Sequence, residues 1–452
     1  MKRNIRLHSL IVETGLSYDA VARHLRAVGK ENGVDLSSCG RSHVAHWVGG
    51  TRPSRQVPAL LAEVLSRRLG RLVSIEDIGL AMPRDDDIEI DWSQHAVDDL
   101  LSIGRADVRR RSFAGSVLYS VAALAMPLER WCEIAQRGET AARGGTRVGH
   151  ADIEAVHEML DLFQSFDERL GGDHGRLAIA EYLVTDVASF LTGRYATRAD
   201  RQAMFSAAAE LTFVAGWKAF DSGAHGLAER YFLTAVRLAA DRCLAAYILR
   251  AVAHQAADLG HGQQCLDLSD AALTLSQPVA TPGTTALFTL LRARGLALIK
   301  APLSTVEAVV KAERLLDKAD SMQNEPHWLR AIGFGEAILA SQAAHAFRDL
   351  GDHKGAEIQF RRSVALRDGT TFPRIHGLTL AHLGNLQARL GKLDQAMTSW
   401  DQSLTRLSGM RSHRARQAIR DVDGQLRALG SRLPPAWRQL AERIKAELRL
   451  TG

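Results

Sequence analysis

The sequence predicts an all-α protein with a small basic head and a long body of stacked helices. Three observations carry this. Ala and Leu dominate, and aromatic residues make up only 6% of the 452 residues, a bias toward helices packed through small side chains. Apolar residues recur at helical spacing in stretches of ~12–20 residues broken by Gly, Asp and Pro, with no competing period-2 run or Asn-Gly hairpin signal. A pattern of small and large residues also recurs through the second half of the chain. Hydrophobic content of 46% is enough for a large core and excludes global disorder.

The head spans residues 1–82. HSLIVETGLSYDAVARHLRA (8–27) supplies one helix, a turn at Gly15 and a second helix capped by Ser17. Ala20, Val21 and Leu25 form the apolar stripe of that second helix. After the stretch 26–40, Arg41 to Val48 reads as a short helix ending at Gly49-Gly50. Val44 and Trp47, three apart, face the core, and Ser42, His43, Ala45 and His46 face outward. VPALLAEVLSRRLG (57–70) forms a further helix. Residues 1–82 hold twelve basic and seven acidic residues, and the other 370 hold 45 and 44. The head therefore carries +5 of the net +6, which points to nucleic acid or another anionic surface.

GLS at 15–17, AVARHL at 20–25, RSHVAHWVGGTRPS at 41–54 and LLAEVLSRRLG at 60–70 resemble the Cro/repressor-type helix-turn-helix family. The resemblance implies that Arg41–Val48 is a recognition helix for the major groove of double-stranded DNA. It implies base-edge contacts from Ser42, His43 and His46. It implies phosphate contacts from Arg41, Thr51, Arg52 and Arg55. The family's turn before this helix has three or four residues, whereas fifteen (26–40) intervene here.

Residues 83–111 read as a linker containing a short helix at 96–108. PRDDDIEIDWSQH (83–95) begins with Pro and carries five acidic residues, so it buries little. An apolar helix follows at about 112–125. RRRSFAGSVLYSVAALAMP (109–127) has the pattern of a twin-arginine export signal, but such signals work at an N-terminus. More than 100 residues precede it here, so the expected reading is a buried helix behind a basic stretch.

The body, 112–452, carries the recurrence. A turn Gly is followed by a small residue five on, a large or packing residue four further and a small one three further. The copies are Gly223-Ala228-Phe232-Ala235, Gly260-Cys265-Ser269-Ala272, Gly351-Ala356-Phe360-Ser363 and Gly391-Ala396-Trp400-Ser403. A weaker copy, Ala312-Leu316-Ala319, has no aligned Gly. Each unit is two antiparallel helices whose small residue permits close approach. One pair cannot bury its face, so pairs stack. LAHLGNLQARLGKLDQAMTSWDQSL (380–404) and SQAAHAFRDLGDHKGAEIQFRRSV (341–364) resemble tetratricopeptide repeats. The final helix after Pro434-Pro435 suits a cap. Head and body together resemble bacterial regulators whose repeats bind a signalling peptide and form the dimer. That likeness implies a homodimer and a peptide or small-molecule effector in the concave groove. Candidate groove residues are Arg250, His254, Arg292, Arg294, His345 and Asn385.

Catalytic motifs are lacking. HEMLD (157–161) lacks the second His of a zinc-protease helix, and GNLQARLGKL (384–393) has the wrong spacing for a phosphate loop. The four cysteines lie far apart without metal spacing, as in a reduced cytoplasmic protein. No apolar run reaches the ~18–20 residues of a membrane span. The sequence predicts a transcriptional regulator, with no enzymatic activity, cofactor or metal. The alternative is an interaction scaffold or anti-activator that does not bind DNA, favoured by the fifteen-residue stretch.

Overall fold

The computed structural model describes residues 3–54, 56–71, 73–80, 95–109, 118–124, 131, 133, 145–277, 279–319, 325–430 and 435–450. Arg55, residues 83–94 of the acidic stretch, and residues 112–117 and 125 of the predicted apolar helix lie outside them. The fold is all-α with a helical-repeat body. Among the described residues the only strands, β1 (Arg147–Val148) and β2 (Arg194–Tyr195), form one short parallel pair.

Four helices build the head: α1 (Ile5–Thr14), α2 (Tyr18–Glu31), α3 (Arg41–Val48) and α4 (Val57–Leu69). Gly15 closes α1 at φ 68°, and the Ser17 hydroxyl accepts from the Ala20 N–H at 3.2 Å. Both follow the sequence expectation. Leu7, Val21, Leu25, Val44, Trp47 and Leu61 meet in one core. The stretch 26–40 divides in two. Its first six residues lengthen α2, and the rest fold back on that helix. The Val34 N–H donates to the Gly29 carbonyl at 2.8 Å, and a Cβ on Gly29 would lie 2.9 Å from the Val34 carbonyl oxygen. A side chain at 29 would push the loop off the helix.

The body begins with α5 (Ala96–Arg109). Leu100 and Ile103 join the body's core, so this helix packs on the body rather than spanning open linker. Its Asp99 pairs with Arg237 and its Asp107 with Arg176. One helical turn, α6 (Val121–Leu124), falls in the predicted apolar stretch. Next come α7 (His150–Leu170), α8 (Arg176–Tyr182), a π-helical turn (Leu183–Val187) and α9 (Ala188–Leu191). Five antiparallel pairs then stack. They are α10 (Arg198–Asp221) with α11 (His225–Leu238) and α12 (Arg242–Asp258) with α13 (Gly262–Ser276). They continue as α14 (Pro282–Leu298) with α15 (Pro302–Leu316). A short inserted helix, α16 (His327–Ala331), precedes α17 (Glu336–Leu350) with α18 (His353–Leu366). Last are α19 (Pro373–Arg389) with α20 (Leu393–Leu407), then α21 (His413–Leu429) and α22 (Pro435–Leu450). Trp437, Leu440 and Ile444 of α22 cover the end of the core beside Trp400.

The structure corrects the register of the third repeat. Its turn residue is Lys300, which takes φ 64° where the other pairs place Gly223, Gly260, Gly351 and Gly391. The buried small residue five on is Thr305, followed by Val309 and Ala312. The predicted Ala312-Leu316-Ala319 was seven residues late, because a lysine stood where the pattern required glycine.

The stack also closes on itself. The Asp167 and Glu168 carboxylates of α7 accept from Arg374 of α19. Arg374 also meets Asp221 of α10 at 2.7 Å, and Lys218 lies 3.7 Å from Asp167. Arg374 is 0% exposed. Helix α7 thus ties the first pair to the last and runs across the concave face.

Candidate functional site

Head and body each present one candidate surface. On the head, Val44, Trp47 and Val48 anchor α3 in the core, while Arg41, Ser42, His43 and His46 are exposed. Thr51 and Arg52, just past the helix, are exposed as well. The His43 ring accepts at Nδ1 from the Gly40 N–H at 3.3 Å. A neutral ring held that way carries its proton on Nε2 and presents a donor outward. Arg23 and Lys30 of α2 are exposed on the same small domain. Other head arginines are occupied: Arg67 by Glu31 and Glu63, and Arg71 by Glu13. The folded-back loop at 32–40 leaves the outer face of α3 uncovered.

The head meets the body through the end of α2 and through α4, away from that face. The segment 118–121 sits between them. Glu63 of α4 accepts from the Ser120 hydroxyl and the Val121 N–H, each at 2.8 Å. The Ser120 N–H donates to Glu229 of α11 at 2.8 Å, and the Tyr119 N–H donates to the Asn32 side chain at 2.8 Å. The Tyr119 ring stacks on His261 at 5.7 Å. Burial pushes the Glu229 carboxyl up to about 8.

In the body, the concave face holds a cavity of about 800 Å³, a size common for small-ligand sites. The first helices of the pairs supply its wall at helical spacing. Phe213 and Trp217 come from α10; Tyr247, Arg250 and His254 from α12; Ser341 and His345 from α17; Leu378 and His382 from α19. Helix α7 adds Gln164 and Glu168, and α16 adds His327 and Arg330. Trp328 of α16 stacks on Tyr247 at 4.3 Å, which pins the inserted helix over the cavity.

Three of the six candidate groove residues line this cavity: Arg250, His254 and His345. The other three do not. Arg292 pairs with Asp270 at 2.6 Å. Arg294 is 2% exposed, bound to Asp258 at 2.6 Å and Asp349 at 2.9 Å. Asn385 accepts from the Trp400 indole N–H at 2.9 Å. Sequence reasoning missed Trp217, Tyr247, His382 and Arg414. Trp217 was findable, since it stands six residues before the turn Gly223 as His254 stands before Gly260.

Burial dominates the titration of the cavity's histidines. Burial, then neighbouring Asp258 opposed by three arginines, leaves His254 at about 3. Burial and Arg348 take His382 to about 3, and His345 is driven well below the usual range in the same way. All three are neutral at physiological pH. Burial would raise Asp258, but Arg294, His254 and Arg414 hold it well below the carboxylate range.

Residues 7–81 match the model of the SP15 N-terminal domain family, a span that covers the head from α1 to the end of its described residues. No curated protein matches the chain significantly.

Proposed function

We propose that the chain is a DNA-binding transcriptional regulator whose helical-repeat body senses a ligand. The observation that carries this reading is the α3 face. Arg41, Ser42, His43 and His46 stand exposed above a buried Val44–Trp47 seam, with Arg52 exposed just past the helix and Arg23 and Lys30 exposed on the same domain. Polar groups at the start of a short, rigidly seated helix suit base edges in a major groove, and flanking cations suit phosphates. The cavity supplies the sensing half, and a homodimer would present two such heads to a two-fold operator. The segment 118–121, bonded to both parts, is the route between them. A ligand acts through it only by binding the DNA-competent and incompetent arrangements with different affinity.

The test is binding to random duplex DNA across a salt series. A head neutralising ~4–6 phosphates gives a log–log slope of about −4 to −5. Arg41→Ala with Arg52→Ala should lower the slope by about two and weaken binding at every sequence. Absence of binding at low salt, or binding undiminished in the double variant, overturns the reading in favour of a scaffold.

A further inference from the structure

Arg250 is the odd charge of the body. It lines the cavity wall and is 8% exposed. Its Nε atom has no hydrogen-bond partner, and among the described residues no carboxylate forms an ion pair with it. Tyr247 attends it, with its ring 5.0 Å from the guanidinium carbon and its hydroxyl in hydrogen-bond reach. A guanidinium stays charged in proteins, and burying it without a counter-charge is costly unless something else supplies one. The wall's own acids cannot. Asp167 and Glu168 are held by Arg374, Asp161 lies largely exposed 3.7 Å from His327, and behind the wall Asp258 is held by Arg294. Two further cations have unsatisfied atoms on the same wall, Arg414 at Nη1 and Arg367 at Nε. The same wall carries apolar surface from Trp217, Phe213 and Leu378.

We infer that the cavity takes an amphipathic carboxylate, its anionic end seated on Arg250 and its apolar body against the Trp217 side. This rests on the proposed sensing role and names the chemistry of the effector. Arg250 offers a planar fork that matches a carboxylate with two parallel hydrogen bonds. Filling it would also settle a charge that the fold leaves open. A carboxylate of this kind can come from a fatty acid or from the C-terminus of a short apolar peptide.

The experiment uses calorimetric titration of the full chain with four probes: decanoate, decanamide, an apolar hexapeptide with a free C-terminus, and the same peptide amidated. One acid should bind, and its amide should bind about 10- to 100-fold more weakly. Which acid binds tells the two sources apart. Arg250→Met should erase the preference, and without ligand its Tm should equal or exceed that of the natural chain. Equal binding of acid and amide, a preference surviving in Arg250→Met, or no binding by either acid overturns the inference. Should the variant not fold, the acid–amide comparison on the natural chain decides alone. The sensing role is read separately, by repeating the DNA titration with the bound acid. Unchanged DNA affinity removes that role and leaves the ligand class standing.

Discussion

Head and body use arginine for opposite purposes. In the head, Arg23, Arg41 and Arg52 stand exposed, with no ion pair among the described residues. In the body, Arg237, Arg294 and Arg374 are buried against Asp99, Asp258 and Asp221. The difference explains the charge distribution along the chain. These buried arginines bring their own carboxylates, and residues 83–452 are nearly neutral despite 45 basic residues. An arginine kept for a partner brings none, so the head is positive. Local net charge therefore reports whether cations are spent inside the fold. By that measure Arg250 behaves like a head arginine placed in the body.

The contrast breaks most sharply at Arg374. Replacing it with Met leaves Asp167 and Asp221 buried without their cation. The expected loss is about 3–5 kcal/mol, read as a drop in the body's thermal transition. Arg41→Ala, in the exposed class, should leave that transition within about 0.5 kcal/mol. Equal effects of the two would erase the distinction.

Gly384 lies under Trp400, and a Cβ there would sit 2.5 Å from Cδ1 of the indole. Gly384→Ala should cost about 1–3 kcal/mol by overpacking and disturb the Trp400–Asn385 hydrogen bond. Indole fluorescence and urea midpoint both report it. An unchanged midpoint would show that the last pair is loosely packed.

The joint between head and body gives a smaller effect, gated by pH. Glu229 titrates near 8 in the fold against an ordinary 4.5, because burial disfavours its charged form. A raised carboxyl stabilises the fold below its unfolded value. That contribution is lost as pH rises from about 4.5 through about 8. Glu229→Gln keeps an acceptor for the Ser120 N–H and removes the titration. The variant should match the natural chain at the acid end of this window and exceed its Tm at the alkaline end. Parallel Tm curves across the window would show that the joint does not bury this group.

Much of the architecture was legible because local rules govern it. The cap at Ser17, the turn at Gly15 and the inward Val44–Trp47 pair follow from helix geometry alone. The closure of the stack was not legible, since Arg374 and Asp167 stand 207 residues apart and no local pattern joins them. The cavity was half legible. Arg292 and Arg294 are two residues apart, so they leave a helix on different faces. That spacing already barred both from one groove. Arg250 and His254, four apart, do share a face.

The gentlest prediction is at the turn that hid the third repeat. Lys300 holds φ 64°, where a side chain costs about 1–2 kcal/mol and glycine costs nothing sterically. Lys300→Gly removes that strain. It also frees the unfolded chain, which takes back about 0.5–1 kcal/mol. The lysine's exposed hydrogen bond to the Asp349 carbonyl, 2.6 Å, is lost as well and is worth little in water. The balance is a gain of about 0.5 kcal/mol. The mirror change in the head, Gly15→Ala at φ 68°, should lose about 1 kcal/mol. Urea midpoints of the two variants should move in opposite directions. If Lys300→Gly destabilises, the lysine is held by its contact with Asp349, and the third pair depends on a side chain where the other four depend on backbone.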